Sequence, residues 1–197
     1  DIETVATDTS MITLDRPKVI YDNTTRRYYA MAEYRWHRST AGQYWYYDAT
    51  CNSADSACNV GGRDGFAMRF SRNLVNRSVD GVFCGDPNIT RTWANFGCTY
   101  PAPWENSSAG TAYMKQDKVW KTVVDPDYNM FRGQITMAVD PIACGTTVQI
   151  FSKYGHTWWS TGLDSISVST SGISMNFSST NYRWQVASQS GTWTRSC

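Results

Sequence analysis

Residues 28–47 read YYAMAEYRWHRSTAGQYWYY, nine aromatic or imidazole rings within twenty residues. Ala30, Ala32, Tyr34 and Trp36 alternate with Met31, Glu33, Arg35 and His37. Successive side chains of a strand leave opposite faces, so this is a strand with one apolar side. Ser39-Thr40-Ala41-Gly42 predicts a turn, and Tyr28–His37 with Gln43–Asp48 reads as a hairpin. One register pairs Trp36 with Trp45 and Tyr34 with Tyr47 on a core face. It sets His37 across from Tyr44, Arg35 across from Tyr46 and Glu33 across from Asp48 on the other. A slip by one residue would mix rings with charges on both faces, so segregation selects the first register. One side of the segment is expected to be core, and the other is a candidate binding face.

The same period of two recurs outward from this segment. Phe66, Met68 and Phe70 alternate after Gly61-Gly62, which reads as a turn. Phe131, Gly133, Ile135, Met137 and Val139 alternate after the Asp-Pro-Asp turn at 125–127. Val148, Ile150, Ser152 and Tyr154 follow the Cys144-Gly145 break. Ile166 and Val168 face Ile173, Met175 and Phe177 across a Ser-Thr-Ser-Gly turn, and Tyr182, Trp184 and Val186 form a last strand. The stretch DKVWKTVV (117–124) is β-branched enough to favour strand over helix. With no helical period between these runs, the expectation is all-β. It is a single-domain antiparallel β-sandwich over 1–197, jelly-roll-like or immunoglobulin-like. Only the stretch around 84–109, with Pro87, Pro101 and Pro103, lacks a clean period and reads as a long irregular loop.

Composition agrees. Glu and Lys, the residues of exposed helix faces, number 3 and 5, against 14 Asp and 13 Arg. The formal net charge is +1 with no block of either sign, so neither nucleic acid nor an anionic membrane is an expected partner. No apolar run reaches the ~18 residues of a spanning helix, so no membrane span is expected.

Six cysteines, Cys51, Cys58, Cys84, Cys98, Cys144 and Cys197, include no CxxC pair. An even count without metal-ligand spacing predicts three disulfides in an oxidising compartment, hence a secreted, extracellular protein. Proximity favours Cys51–Cys58, Cys84–Cys98 and Cys144–Cys197. Five Asn-x-Ser/Thr triplets, at Asn23, Asn76, Asn88, Asn106 and Asn176, match the glycan-acceptor pattern, a frequent chance match in so Asn/Ser/Thr-rich a chain.

Candidate chemistry is sparse. There is no GxSxG elbow and no HExxH helix. His37 and His156 are the only histidines, both expected at the surface or in turns. DPDYN (125–129) spaces Asp125, Asp127 and Asn129 as calcium loops do, but Met130 and Thr136 stand where such a loop needs glycine and acid. No metal or other cofactor is expected. The ligand-binding candidates are Tyr154, His156, Trp158 and Trp159 in YGHTWWS, with Arg35, His37, Tyr44 and Tyr46 on the hairpin face. An exposed Trp or Tyr plane stacks on the apolar face of a pyranose, which makes carbohydrate the expected ligand. The alternative is a secreted protein-interaction module such as a toxin component, adaptor or inhibitor, since Trp, Tyr and Arg also dominate protein interfaces. A third reading, a polysaccharide-cleaving enzyme, would use Glu33 with Asp48, or Glu105, as paired carboxylates.

Overall fold

The computed structural model describes residues 11–37, 56–88, 96–121 and 127–196. Among them there is no helix. The chain forms β1 (Ile12–Leu14), β2 (Lys18–Asp22), β3 (Arg27–Trp36), β4 (Ser56–Phe70), β5 (Asn76–Cys84), β6 (Cys98–Thr99), β7 (Glu105–Ser107) and β8 (Gly110–Lys121). There follow β9 (Asp127–Tyr128), β10 (Arg132–Val139), β11 (Thr147–Thr157), β12 (Leu163–Val168), β13 (Ile173–Phe177), β14 (Arg183–Ala187) and β15 (Gly191–Thr194). All pairings are antiparallel. The first sheet runs β1-β3-β10-β5-β6, with β2 also on β3. The second runs β14-β11-β4-β8-β7, with β15 on β11 and β9 on β8.

The two sheets bury their apolar faces against each other, as the alternation requires. From the first come Ile12, Ala30, Ala32, Tyr34, Trp36, Phe83, Ile135, Met137 and Val139, and from the second Phe66, Met68, Phe70, Tyr113, Val148, Ile150 and Tyr154. Each large side chain buried here contributes about 1.5–3 kcal/mol relative to exposure. The β12–β13 hairpin, a two-stranded sheet of its own, closes a second, smaller core on Ala67 and Ala112 with Leu163, Ile166, Val168 and Met175.

Several expectations need correction. The 28–37 strand forms with the expected buried face, and its described partners are three other strands; the expected partner segment, residues 43–48, lies outside the described residues. One edge of β3 is taken by β10, from Val139 opposite Tyr28 to Arg132 opposite Arg35. The other is taken by β1 and β2. Tyr44, Tyr46 and Asp48 lie outside the described residues.

Gly61-Gly62 is no turn: it sits inside β4, where the pairing with β8 shifts register between Asn59 and Arg63. A Cβ on Gly61 would come within 2.6 Å of the Trp158 Cα, and one on Gly62 within 2.2 Å of the Gly162 Cα. These glycines mark a close backbone approach, a common meaning of glycine in a strand. The 84–109 region is not irregular throughout, because β6 pairs with β5 and β7 with β8.

The Cys84–Cys98 disulfide is formed. Cys58 and Cys144 are also disulfide-bonded, while Cys51 and Cys197 lie outside the described residues. Residues 117–121 continue β8 as strand. No helix of the described chain is long and apolar enough to cross a membrane.

Candidate functional site

At one end of the inter-sheet core the filling changes from apolar to polar. Asp64 and Asp117 stand on the inward faces of β4 and β8, and His156 on that of β11; all three are buried. Asp64 is the hub. Its Oδ2 accepts hydrogen bonds from the Tyr154 hydroxyl at 2.6 Å and the Tyr128 hydroxyl at 2.9 Å. His156 Nδ1 lies 2.8 Å from the same oxygen, and Oδ1 accepts from the Thr157 N–H at 2.8 Å. The tyrosine hydroxyls already donate to Oδ2, so the imidazole contact requires the proton on Nδ1. Asp117 Oδ2 lies 3.3 Å from the Tyr128 hydroxyl and 3.9 Å from His156 Nδ1.

Burial pushes the Tyr34, Tyr128 and Tyr154 hydroxyls well above the ordinary tyrosine pKa, and the Asp64 carboxylate adds to the shift. Those hydroxyls therefore stay protonated, as donors must. Near Asp117, the half-buried Lys115 donates to the Asn129 carbonyl at 3.2 Å. Burial, reinforced by Lys118, lowers its pKa to about 8.

The ligating atoms of Asp64, Asp117 and His156 lie within 4.8 Å of one another, a spacing compatible with a metal ion. Yet Asp64 Oδ2 is already saturated by three donors. An ion there would have to displace two tyrosine hydroxyls and deprotonate Nδ1. As arranged, the cluster works as a hydrogen-bonded anchor. What it anchors is the end of β11 and the turn that follows.

Beyond Thr157 the chain folds over the Gly61-Gly62 bulge, where Gly62 N–H donates to the Thr161 carbonyl and Trp159 N–H to that of Val60. His156 is enclosed by Trp36, Trp158 and Trp184, with ring centroids 5.0, 5.7 and 5.5 Å away. Its Nε2 is buried without a hydrogen-bond partner. Trp158, half-buried, stacks on His156, and Trp159 emerges into solvent, 48% exposed. Trp159 meets Tyr182, 38% exposed, at 4.5 Å between ring centroids. Both residues have left-handed backbone, φ 57° and 56°. That conformation is rare for bulky side chains, and such strain concentrates at binding and catalytic sites.

The expected site residues thus separate. Trp159 is at the surface and Trp158 directly behind it. Tyr154 and His156 were expected to contact ligand, and His156 to sit at the surface or in a turn. Both are instead buried at 1% exposure or less, because the inward positions of β11 carry them into the core. Arg35, Glu33 and His37 lie on the other sheet, with Arg35 exposed and Glu33 3.8 Å from Lys18 Nζ. His37 shares a 2.6 Å hydrogen bond with Thr13. Glu105 is on β7, where its carboxylate accepts from the Val168 N–H.

Within DPDYN the Asp127 carboxylate accepts backbone N–H donors from Asp86, Phe96 and Tyr128, and Asp125 lies outside the described residues. The residues missed from sequence were Asp64, Asp117, Tyr128 and Tyr182. Asp64, Asp117 and Tyr128 lie on three different strands and Tyr182 in the bend before β14, and only the odd placement of an acid inside the apolar alternation Asp64-Phe66-Met68 pointed to any of them. No protein-family model matches the chain, and no curated protein or solved structure shows significant similarity to it.

Proposed function

We propose that this chain is a secreted, extracellular binding domain of jelly-roll-like or immunoglobulin-like type that takes carbohydrate on the Trp159–Tyr182 platform. The observation that carries the reading is the pair itself: two exposed rings 4.5 Å apart, held on left-handed backbone. Exposed aromatic planes beside short polar side chains suit a pyranose ring, and Ser160, Ser179 and Asn181 flank the pair in sequence. The buried network behind it supports preorganisation, because it leaves little side-chain entropy to be lost on binding. A glycan array, followed by titration of the best ligand against tryptophan fluorescence, tests this. Trp159→Ala and Tyr182→Ala are expected to weaken binding at least tenfold, and Glu33→Gln to leave it unchanged. An array without a saturable hit overturns the reading.

A second reading, a protein-interaction module, draws on another exposed set. Tyr100 is 77% and Trp104 49% exposed, and the Arg63 guanidinium lies 5.7 Å from the Trp104 ring. A stoichiometric protein partner abolished by Trp104→Ala would favour it. The enzyme reading has less support: Glu33 lies 3.8 Å from Lys18 Nζ and the Glu105 carboxylate accepts from the Val168 N–H, while Asp48 lies outside the described residues.

A further inference from the structure

Arg35 on β3 and Arg132 on β10 are register partners, so their side chains leave the outer face of the first sheet from directly opposed positions. Both are exposed. Like charges directly opposed on adjacent strands disfavour the pairing unless a counter-charge sits between them. Among the described residues no ion pair or hydrogen bond engages either guanidinium. Arg77 shows the contrast on the same sheet, with its fork closed on Asp140 through Nε at 2.7 Å and NH2 at 2.5 Å.

The two arginines border an open groove of about 390 Å3 whose rim also includes Asp15, Glu33, Val82 and Gln134. The acids do not neutralise the pair. Glu33 faces Lys18 instead, and no ion pair joins Asp15 to either arginine. One residue beyond Arg35, the chain turns Trp36 inward against His156 and Trp184. The groove therefore opens near the end of the molecule that carries the aromatic platform.

We propose that Arg35 and Arg132 form an oxoanion site, taking the carboxylate, sulfate or phosphate group of a ligand. Two planar guanidinium forks about 5 Å apart at their backbone origins can each offer paired N–H donors to one oxoanion. The site stands without the carbohydrate reading, because its evidence is the opposed arginine couple, unpaired among the described residues, and not the tryptophans.

The test is isothermal titration with sodium sulfate, inorganic phosphate and galacturonate, at constant ionic strength set with chloride. Saturable binding of at least one probe is expected. Affinity should fall at least tenfold in Arg35→Gln and in Arg132→Gln, less in Arg132→Lys, and not at all in Arg72→Gln. Binding of all three probes identifies a general oxoanion site, and binding of galacturonate alone identifies a sugar carboxylate as the source. Both outcomes support the proposal. Absence of binding by all three, or equal binding in the Gln variants, overturns it. The anion-free Tm of the Gln variants, expected at or slightly above wild type because a repulsion is removed, confirms that they fold.

Discussion

The two ends of the inter-sheet core are filled by different chemistry. Toward the start of β11, Val148 and Ile150 pack with Phe70 and Trp193. Toward its end, Tyr154 and His156 point into the same space but meet Asp64, Asp117 and Tyr128. Apolar packing is non-directional, and hydrophobic side chains of similar size substitute for one another there. A buried carboxylate with four donors has one satisfactory arrangement, and losing any member strands the rest. The apolar end therefore holds the sheets together, whereas the polar end fixes the position of one turn. That turn carries Trp159, one ring of the exposed aromatic pair, and Tyr182 meets it from the bend before β14.

Removing the hub should show the largest difference. Asp64→Ala leaves four donors without their acceptor and is expected to destabilise by about 3–5 kcal/mol. Ile150→Ala at the apolar end should cost about 2–5 kcal/mol through lost burial and a cavity. The two are distinguished by a milder pair of changes measured by chemical denaturation. Ile150→Val should cost about 1 kcal/mol, while the near-isosteric Asp64→Asn should remain severe, because the amide keeps only one acceptor oxygen and turns its NH2 against donors that now meet the other. Equal mild losses would erase the distinction between the ends.

Outside both ends, replacing Cys84 and Cys98 with Ser opens a loop of sequence separation 14. The expected loss is about 3 kcal/mol from loop entropy, read by denaturation, with the aromatic platform unaffected.

The polar end should also dominate the alkaline behaviour. Lys115 titrates near pH 8 when folded against an ordinary 10.5, so between those values the unfolded chain binds more protons. Stability contributed by this group therefore rises with pH from about 8 toward 10.5. Tyr34, Tyr128 and Tyr154 have raised folded values, so above about pH 10 the folded chain binds more protons and stability falls. Denaturation midpoints across pH 7–11 should rise and then drop, and Lys115→Met should remove the rise. Absorbance at 295 nm should show these three tyrosines ionising only with unfolding.

The smallest effect is expected at the surface. Trp159→Gly relieves left-handed backbone strain worth about 1–2 kcal/mol but loses the ring contact with Tyr182. Its stability should therefore stay within about 1 kcal/mol of wild type while ligand binding is lost. A large destabilisation would make Trp159 a packing residue instead of a contact.

The strands were largely legible because burial on one face imposes a period of two on the sequence. Phe66-Met68-Phe70, Ile135-Met137-Val139 and the 166–177 hairpin all stand where the alternation put them. Cys84–Cys98 was legible from proximity. The partners of β3 were not, since a strand's alternation fixes its faces and says nothing of which edge it pairs with. Local sequence favoured residues 43–48, whereas β10, about a hundred residues away, occupies that strand's edge.

Gly61-Gly62 misled for a related reason: a glycine pair signals a turn or a close backbone contact equally, and the contacting backbone lies at 158–162. Of the candidate site, YGHTWWS was visible as a ring-rich stretch, but which ring faces water was not. By itself, then, the sequence determined an all-β chain, its inward faces and one disulfide, because these follow from local periodicity and spacing. Only the tertiary structure joined Asp64, Asp117, Tyr128 and His156 from four strands, paired Trp159 with Tyr182, and set Arg35 opposite Arg132. Such juxtapositions come from long-range pairing of strands, and no local pattern encodes them.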